Sequence, residues 1–323
     1  MHSISQLQEL IQQAIAESKY PSKPKELYEP ISYLMGLGGK RMRPASLLMA
    51  CNLFTDDISM ALKPAMAMEV FHNFTLMHDD IMDKAPLRRG KPTVQHKWND
   101  NVAILSGDVM LVEAYKLIMQ VDPAILPEVL TIFNDTAVGV CEGQQIDMNF
   151  ESLQTVEEAE YISMIRLKTA VLLAAALKIG ALIGGSSKEE AQLLYDFGIN
   201  LGLAFQLNDD ILDVYGDPEK FGKQVGGDII SNKKTFMLIK AGELTSGEIR
   251  QSLMNWLNTS GKPQEKVAAI TGIYDELNIR ELAEMKMAAY AQNALNCLDL
   301  VHVDQSKKEI LKSFAESLSV REH

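Results

Sequence analysis

Apolar residues recur three and four positions apart in segment after segment of this chain, and that spacing restricts its fold more than any other feature. "PASLLMACNLF", "NVAILSGDVMLVEAYKLIMQ" and "KEEAQLLYDFGINLGLAFQLNDDILDVY" all carry it, and it is the period of an α-helix. No Asn-Gly or Asp-Gly pair stands between alternating apolar runs, so the usual hairpin signal is missing. Pro44 opens one run, where a first helical turn accepts it. Many segments are apolar nearly all round, as suits helices enclosed in a large bundle. No Pro- or Ser-rich linker divides the 323 residues. The expectation is therefore an all-α fold in a single domain, 1–323.

Membrane and export signals are not visible. The most apolar stretch, "AVLLAAALKIGALIGG" at 170–185, is too short for a span and Lys178 interrupts it, so it reads as a buried core helix. The opening "MHSISQLQELIQQAIAES" reads as an amphipathic polar helix without the basic-then-apolar order of a signal peptide. Cys51, Cys141 and Cys297 are far apart and have neither metal-type nor disulfide-type spacing, which suits reduced thiols in the cytoplasm. A net charge of −12 argues against a general nucleic-acid binder, whose footprint is basic.

Two acidic clusters carry the chemistry. Asp79, Asp80 and Asp83 form one; Asp209, Asp210 and Asp213 form the other. Each sits at the C-terminal end of a helical pattern. The first and last aspartates share a face, and the middle one is rotated by about 100°. Like charges at that spacing, at the negative end of the helix dipole, destabilise a helix. Cations offset this. An all-oxygen ligand set favours Mg²⁺, with Mn²⁺ able to substitute, and Mg²⁺ commonly completes its shell with water and phosphate oxygens.

Basic residues follow the acids. Arg88, Arg89 and Lys91 come after the first cluster, Lys223 after the second, and "GLGGKRMRP" places Lys40, Arg41 and Arg43 beside paired glycines. Arginine grips phosphate as a fork and lysine as a point charge. A phosphate ester held with metals can therefore lie between acids and bases. "GGKRMRP" lacks the spacing of a P-loop, and nothing else points to a nucleotide.

The ordered set "GGKRMRP", "DDIMD", "LRRGKPT", "GQQID", "KTA", "FQLNDDILD", "GKQVGGDI" and "NKKTF", from 38 to 236, resembles the trans-isoprenyl diphosphate synthases of the polyprenyl synthetase family. That resemblance implies a helical bundle of the isoprenoid synthase type with a central active-site cavity. It implies that Asp79, Asp83 and Asp209 bind three Mg²⁺ ions clamping an allylic diphosphate, with Asp80 and Asp213 supporting them from behind. Arg88, Lys168 and Lys223 would hold the allylic diphosphate, and Lys233 would close over it. Lys40, Arg43, His72 and Arg89 would hold isopentenyl diphosphate. Thr169 and Gln206 would present oxygens to a developing carbocation, and Gln144 with Asp147 would stand behind the site. The implied reaction is ionisation, attack by the isopentenyl double bond and loss of a proton to the departing diphosphate.

Other readings make different use of the same residues. His72 alone on an apolar helix is an ordinary core histidine. His78 beside Asp79 fits an HD-type phosphohydrolase, but that class needs more histidine ligands and leaves the second aspartate cluster idle. A terpene cyclase or squalene-synthase-like enzyme shares the ionisation step yet has no use for Lys40, Arg43 and His72. A regulatory subunit of a two-component synthase typically loses one or both aspartate clusters, and neither is lost here. The resemblance also bears on product length. Phe74 and Thr75 lie five and four positions before Asp79, with Phe71 a further turn away. A large residue at the fifth position, a small one at the fourth and no insertion in "DDIMD" resemble the archaeal geranylgeranyl type, so C20 is expected ahead of C15. A homodimer is expected as well.

Overall fold

Helices make up nearly all the regular structure, as the apolar spacing predicts, in a computed structural model that describes residues 2–217 and 225–319. In chain order α1 is Ile4–Glu17, α2 Lys25–Gly36, α3 Met42–Phe54, α4 Leu62–Met82, α5 Val94–Lys97 and α6 Asp100–Ile118. Then come α7 Leu126–Ser152, α8 Glu158–Ile165, α9 Val171–Ile183 and α10 Lys188–Tyr215. The last six are α11 Gly227–Ser231, α12 Phe236–Leu244, α13 Gly247–Leu257, α14 Pro263–Glu276, α15 Ile279–Asp299 and α16 Gln305–Ser319. A wide π-type turn, Arg166–Ala170, joins α8 to α9. Among the described residues the only strands are β1 (Leu87–Arg88) and β2 (Lys91–Pro92), paired antiparallel. No Asn-Gly or Asp-Gly pair marks their turn, which Arg89 and Gly90 form.

The chain divides into two compact units. One holds Met1–Asn134, Ala175–Tyr195 and Val301–Leu311; the other holds Asp135–Ala174, Asp196–Leu300 and Lys312–His323. In the first, α3 is buried from Pro44 through Leu53, and α4 packs on α3 and α6. Apolar side chains fully buried there, such as Leu47, Leu48 and Phe71, each contribute roughly 1.5–3 kcal/mol. The segment Ala175–Ile183 of α9 approaches α3 closely: a Cβ on Gly180 would sit 2.1 Å from the Leu47 carbonyl oxygen. The expected core helix at 170–185 is thus present, with Lys178 turned to Gln192 at 2.7 Å. On α1 only Leu7, Ile11 and Ile15 are buried, an i, i+4, i+8 stripe that matches its amphipathic sequence.

The second unit is built around the segment Asp196–Tyr215 of α10. Gly202 lies against Ala170, where a Cβ would come within 2.6 Å of the Ala170 Cα. On α7 Gly143 meets the Lys168 backbone, and a Cβ there would stand 2.3 Å from its nitrogen. Tyr161 and Tyr274 are the largest side chains buried in this unit.

Candidate active site

Within the first unit, α4 ends at the first acidic cluster. Asp79 is partly exposed, Asp83 is the exposed C-cap residue, and Asp80 is 2% exposed. The rotation of the middle aspartate sends it inward. There Asp80 accepts hydrogen bonds from Arg88 Nε at 2.8 Å and Nη2 at 2.7 Å. Burial raises the Asp80 carboxyl above its ordinary value, while Arg88 pulls it down. Gln95 then closes the turn after the cluster, donating to the carbonyls of Asp80 and Ala85 at 2.7 and 2.9 Å.

Arg88 and Arg89 ride on the β1–β2 hairpin. Arg89 and Gly90 at its tip both have positive φ, 52° and 72°. A two-residue hairpin turn needs that conformation, and Asn-Gly is its recognisable signal; arginine in the first place hides it. The Arg89 guanidinium lies on Gly39 and donates to the Gly38 carbonyl. A side chain at Gly39 would displace it, which explains the paired glycines of "GLGGK". The adjoining Lys40 is exposed, and its carbonyl accepts from Gln8 at 2.6 Å.

Arg41 differs from its neighbours. It is 4% exposed, paired with buried Glu69 and donating to the Met35 carbonyl at 2.7 Å. Asn73 binds the same Glu69 carboxylate at 2.9 Å. Sequence analysis grouped Arg41 with Lys40 and Arg43 in the basic loop, but the structure makes it the anchor of that loop. Its φ of 49° costs about 1–2 kcal/mol in a non-glycine residue, a strain held in place by these buried bonds. Arg43 meets His72 at 3.2 Å. Burial depresses the His72 pKa well below the ordinary imidazole range, helped by Arg43, Arg89, Arg88 and Arg41. Glu69 balances Arg41 and Asp80 balances Arg88, so Arg43 and Arg89 are the cations that make the surroundings of this ring electropositive and suited to an anion.

His78 faces elsewhere. Its Nε2 lies 3.2 Å from the Ile104 carbonyl, and its ring fills the space beside Gly107. This does not suit an HD-type ligand. Further back on α4, Phe71 and Phe74 join a row of edge-on and tilted rings. Phe74 contacts His78 at 4.8 Å and Phe71 at 5.6 Å; Phe71 contacts Phe133 at 5.3 Å, and Phe133 contacts Tyr115 at 5.1 Å. Thr75 is partly buried, its hydroxyl bonded to the His72 carbonyl at 2.8 Å. Phe133 and Tyr115 were not anticipated, because they come from α7 and α6.

The second unit repeats the inward–outward division. Asp209 is partly exposed, whereas Asp210 is 4% exposed. Asp210 accepts from the Tyr161 hydroxyl and from the Phe236 backbone N–H at 3.2 Å. Burial, with Asp228 nearby, pushes its carboxyl up to about 7 against the pull of Tyr161, Lys233 and the Phe236 amide. Asp213 accepts from the Asp228 N–H at 3.0 Å, tying α10 to α11. Thr169 and Gln206 do come together, the hydroxyl donating to the amide oxygen at 3.3 Å, and Gln206 passes a bond to Asp210 at 3.4 Å. Lys168 pairs with Asp147 at 2.5 Å, and partly buried Gln144 lies one turn before that aspartate. Exposed Lys233 follows α11, its amide bonded to the Asp228 carbonyl at 2.9 Å. Asn208, beside Asp209, donates to the Leu318 carbonyl at 3.4 Å. Lys223 lies outside the described residues.

Among the described residues, no three His, Cys, Asp or Glu side chains gather around one point. The outward carboxylates Asp79, Asp83 and Asp209 are hard oxygen donors at accessible helix ends. They fit an ion that takes a few protein carboxylates and otherwise water and phosphate, as Mg²⁺ does.

The chain is similar to known proteins over most of its length. Residues 24–276 match the polyprenyl synthetase family. The short chain isoprenyl diphosphate synthase of Methanothermobacter thermautotrophicus is 37% identical over 325 residues, covering 100% of this chain and 99% of its own. The geranylgeranyl diphosphate synthase of Methanosarcina mazei is 42% identical over 232 residues, 71% of this chain and 72% of its own. A crystal structure of a geranylgeranyl pyrophosphate synthase superposes with a TM-score of 0.95 at 40% identity, covering 99% of both chains. The fold and the paired aspartates define a helical prenyl synthase. The chain belongs to the polyprenyl synthetase family. Among the described residues no helix is long and apolar enough to cross a membrane.

Proposed function

We propose that this protein is a Mg²⁺-dependent trans-prenyltransferase that condenses isopentenyl diphosphate with an allylic diphosphate, giving a C15–C20 prenyl diphosphate with C20 favoured. The observation that carries this reading is the basic surrounding of His72, with Arg43 at 3.2 Å and Arg89 adding to the positive field, two helical turns before Asp79 on the same face of α4. A cyclase or a phosphohydrolase has no use for such a second anion site. Arg43, His72 and Arg89, with Lys40, hold the isopentenyl diphosphate. Asp80 takes the Nε and Nη2 edge of Arg88, which leaves Nη1 for the allylic diphosphate along with Lys168, Lys223 and Lys233.

Asp79, Asp83 and Asp209 hold three Mg²⁺ ions. When bound, these ions neutralise charge on the leaving diphosphate. Asp80 and Asp213 stiffen the loops that present the ligands, and Asp147, with Gln144, orients Lys168. The Thr169 hydroxyl, donating to Gln206, keeps its lone pairs turned to the developing cation. The enzyme works in the cytoplasm as a homodimer. Leu105 and Val112 on α6 and Met119 at its C-cap are 58%, 55% and 51% exposed at seven-residue spacing, an apolar stripe of the kind that marks an interface.

The test is incubation with labelled isopentenyl diphosphate, an allylic primer and Mg²⁺, followed by analysis of the dephosphorylated alcohols. Products longer by five-carbon units, absent with EDTA, are expected. A hydrocarbon from a single substrate, or no elongation, would overturn the reading. Phe74→Ala removes the ring between Phe71 and His78, and it is expected to shift products towards C25 and beyond. An unchanged product distribution would remove Phe74 from chain-length control.

A further inference from the structure

We propose that a cavity in the second unit is a binding site for a small amphiphilic anion: a short aliphatic chain ending in a phosphate or a carboxylate. The cavity holds about 220 Å³, and its walls include Val156, Leu238, Ile239, Leu253 and Leu257. None of these residues is assigned to the diphosphate chemistry. The volume is below the roughly 300–1,000 Å³ of drug-sized sites, so it takes a short chain and not an extended prenyl tail.

Three polar features fix the head group. Thr245 lines the cavity, is 3% exposed, and its buried hydroxyl has no hydrogen-bond partner among the described residues. Leaving such a group unsatisfied costs about 1–3 kcal/mol, and a ligand oxygen would recover it. Lys234 and Arg250 also line the cavity, and the side chain of neither forms an ion pair or hydrogen bond among the described residues. The two glutamates on the wall are already engaged. Glu243 pairs with Lys240 at 2.6 Å, and the Glu157 carboxylate caps the first turn of α8. Glu157 keeps its charge in that cap, so Lys234 and Arg250 leave the apolar hollow with a positive excess of one. Burial also depresses the Lys234 amine, a cost that a bound anion would offset.

Lys234 follows Lys233, so an occupant would also restrain the residue assigned to close over the allylic diphosphate. That consequence rests on the proposed function, whereas the binding itself does not. Binding is therefore measured by titration calorimetry in EDTA, where no turnover is needed. Octyl phosphate and octanoate are the probes, with octanol and inorganic phosphate as controls. Saturable one-to-one binding of at least one anion is expected, and the tighter of the two identifies a phosphate ester or a fatty acid as the source chemistry. Arg250→Glu removes a rim cation, and Met254→Trp fills the mouth from a position that is 42% exposed; neither threatens the core. Each should weaken binding at least tenfold. Absence of saturable binding, octanol binding as tightly as the anions, or binding that survives either substitution would overturn the proposal.

Discussion

Each aspartate pair splits into an outward and an inward carboxylate, and the two have different consequences when removed. Asp209→Ala takes away a partly exposed candidate ligand, so turnover should fall by several orders of magnitude while the melting temperature barely moves. Asp210→Ala strands the Tyr161 hydroxyl and the Phe236 amide in the core, each a loss of about 1–3 kcal/mol, so this variant should melt earlier. Equal melting curves would refute the division. The rotation of the middle aspartate was legible in the sequence. Its partners were not, because Tyr161 and Phe236 lie 49 and 26 residues away and no local spacing announces them. His72 makes a pH prediction. Its pKa is depressed in the folded chain, so below about pH 6.5 the unfolded state takes up a proton that the native ring refuses. Stability should fall with acidification by at most about 1.4 kcal/mol per pH unit. His72→Asn should lose that part of the slope in melts between pH 7.5 and 5.5; identical slopes would show that the ring titrates freely.

Among the elements, the long helices were readable because period and burial agree: α4 and α10 end in acidic clusters where the pattern ends them. The β1–β2 hairpin escaped notice because Arg89 occupies a left-handed position that favours glycine or asparagine. The π-type turn escaped because a one-residue insertion in a helix barely changes apolar spacing. One trace of it was present, the glycine of "GQQID". Gly143 lets α7 lie against the backbone of that turn at Lys168, the residue paired with Asp147. Gly143→Ala should therefore destabilise the protein by about 1–3 kcal/mol, as overpacking does. Gly272, in α14, has nothing within 4 Å of its missing Cβ, so Gly272→Ala should stabilise by roughly 0.5–1 kcal/mol. Thermal melts by circular dichroism decide it, and shifts of the same sign would undo the argument.

At the scale of the whole molecule, the chain passes five times between the two compact units. Four of those passages fall inside α7, α9, α10 and α16. No linker separates the units, so we propose that they unfold together. Calorimetry should give one transition with matching calorimetric and van't Hoff enthalpies; two resolved peaks would contradict it. Light scattering should report a dimer at micromolar concentration, reduced to monomer by charges at Leu105 and Val112. Asn208 reaches the Leu318 carbonyl, so the residue beside Asp209 is braced by the last turn of α16. A purification handle fused there, or a proteolytic clip that removes that turn, acts on the neighbour of a candidate metal ligand. Preparations that differ only in that turn would then differ in specific activity.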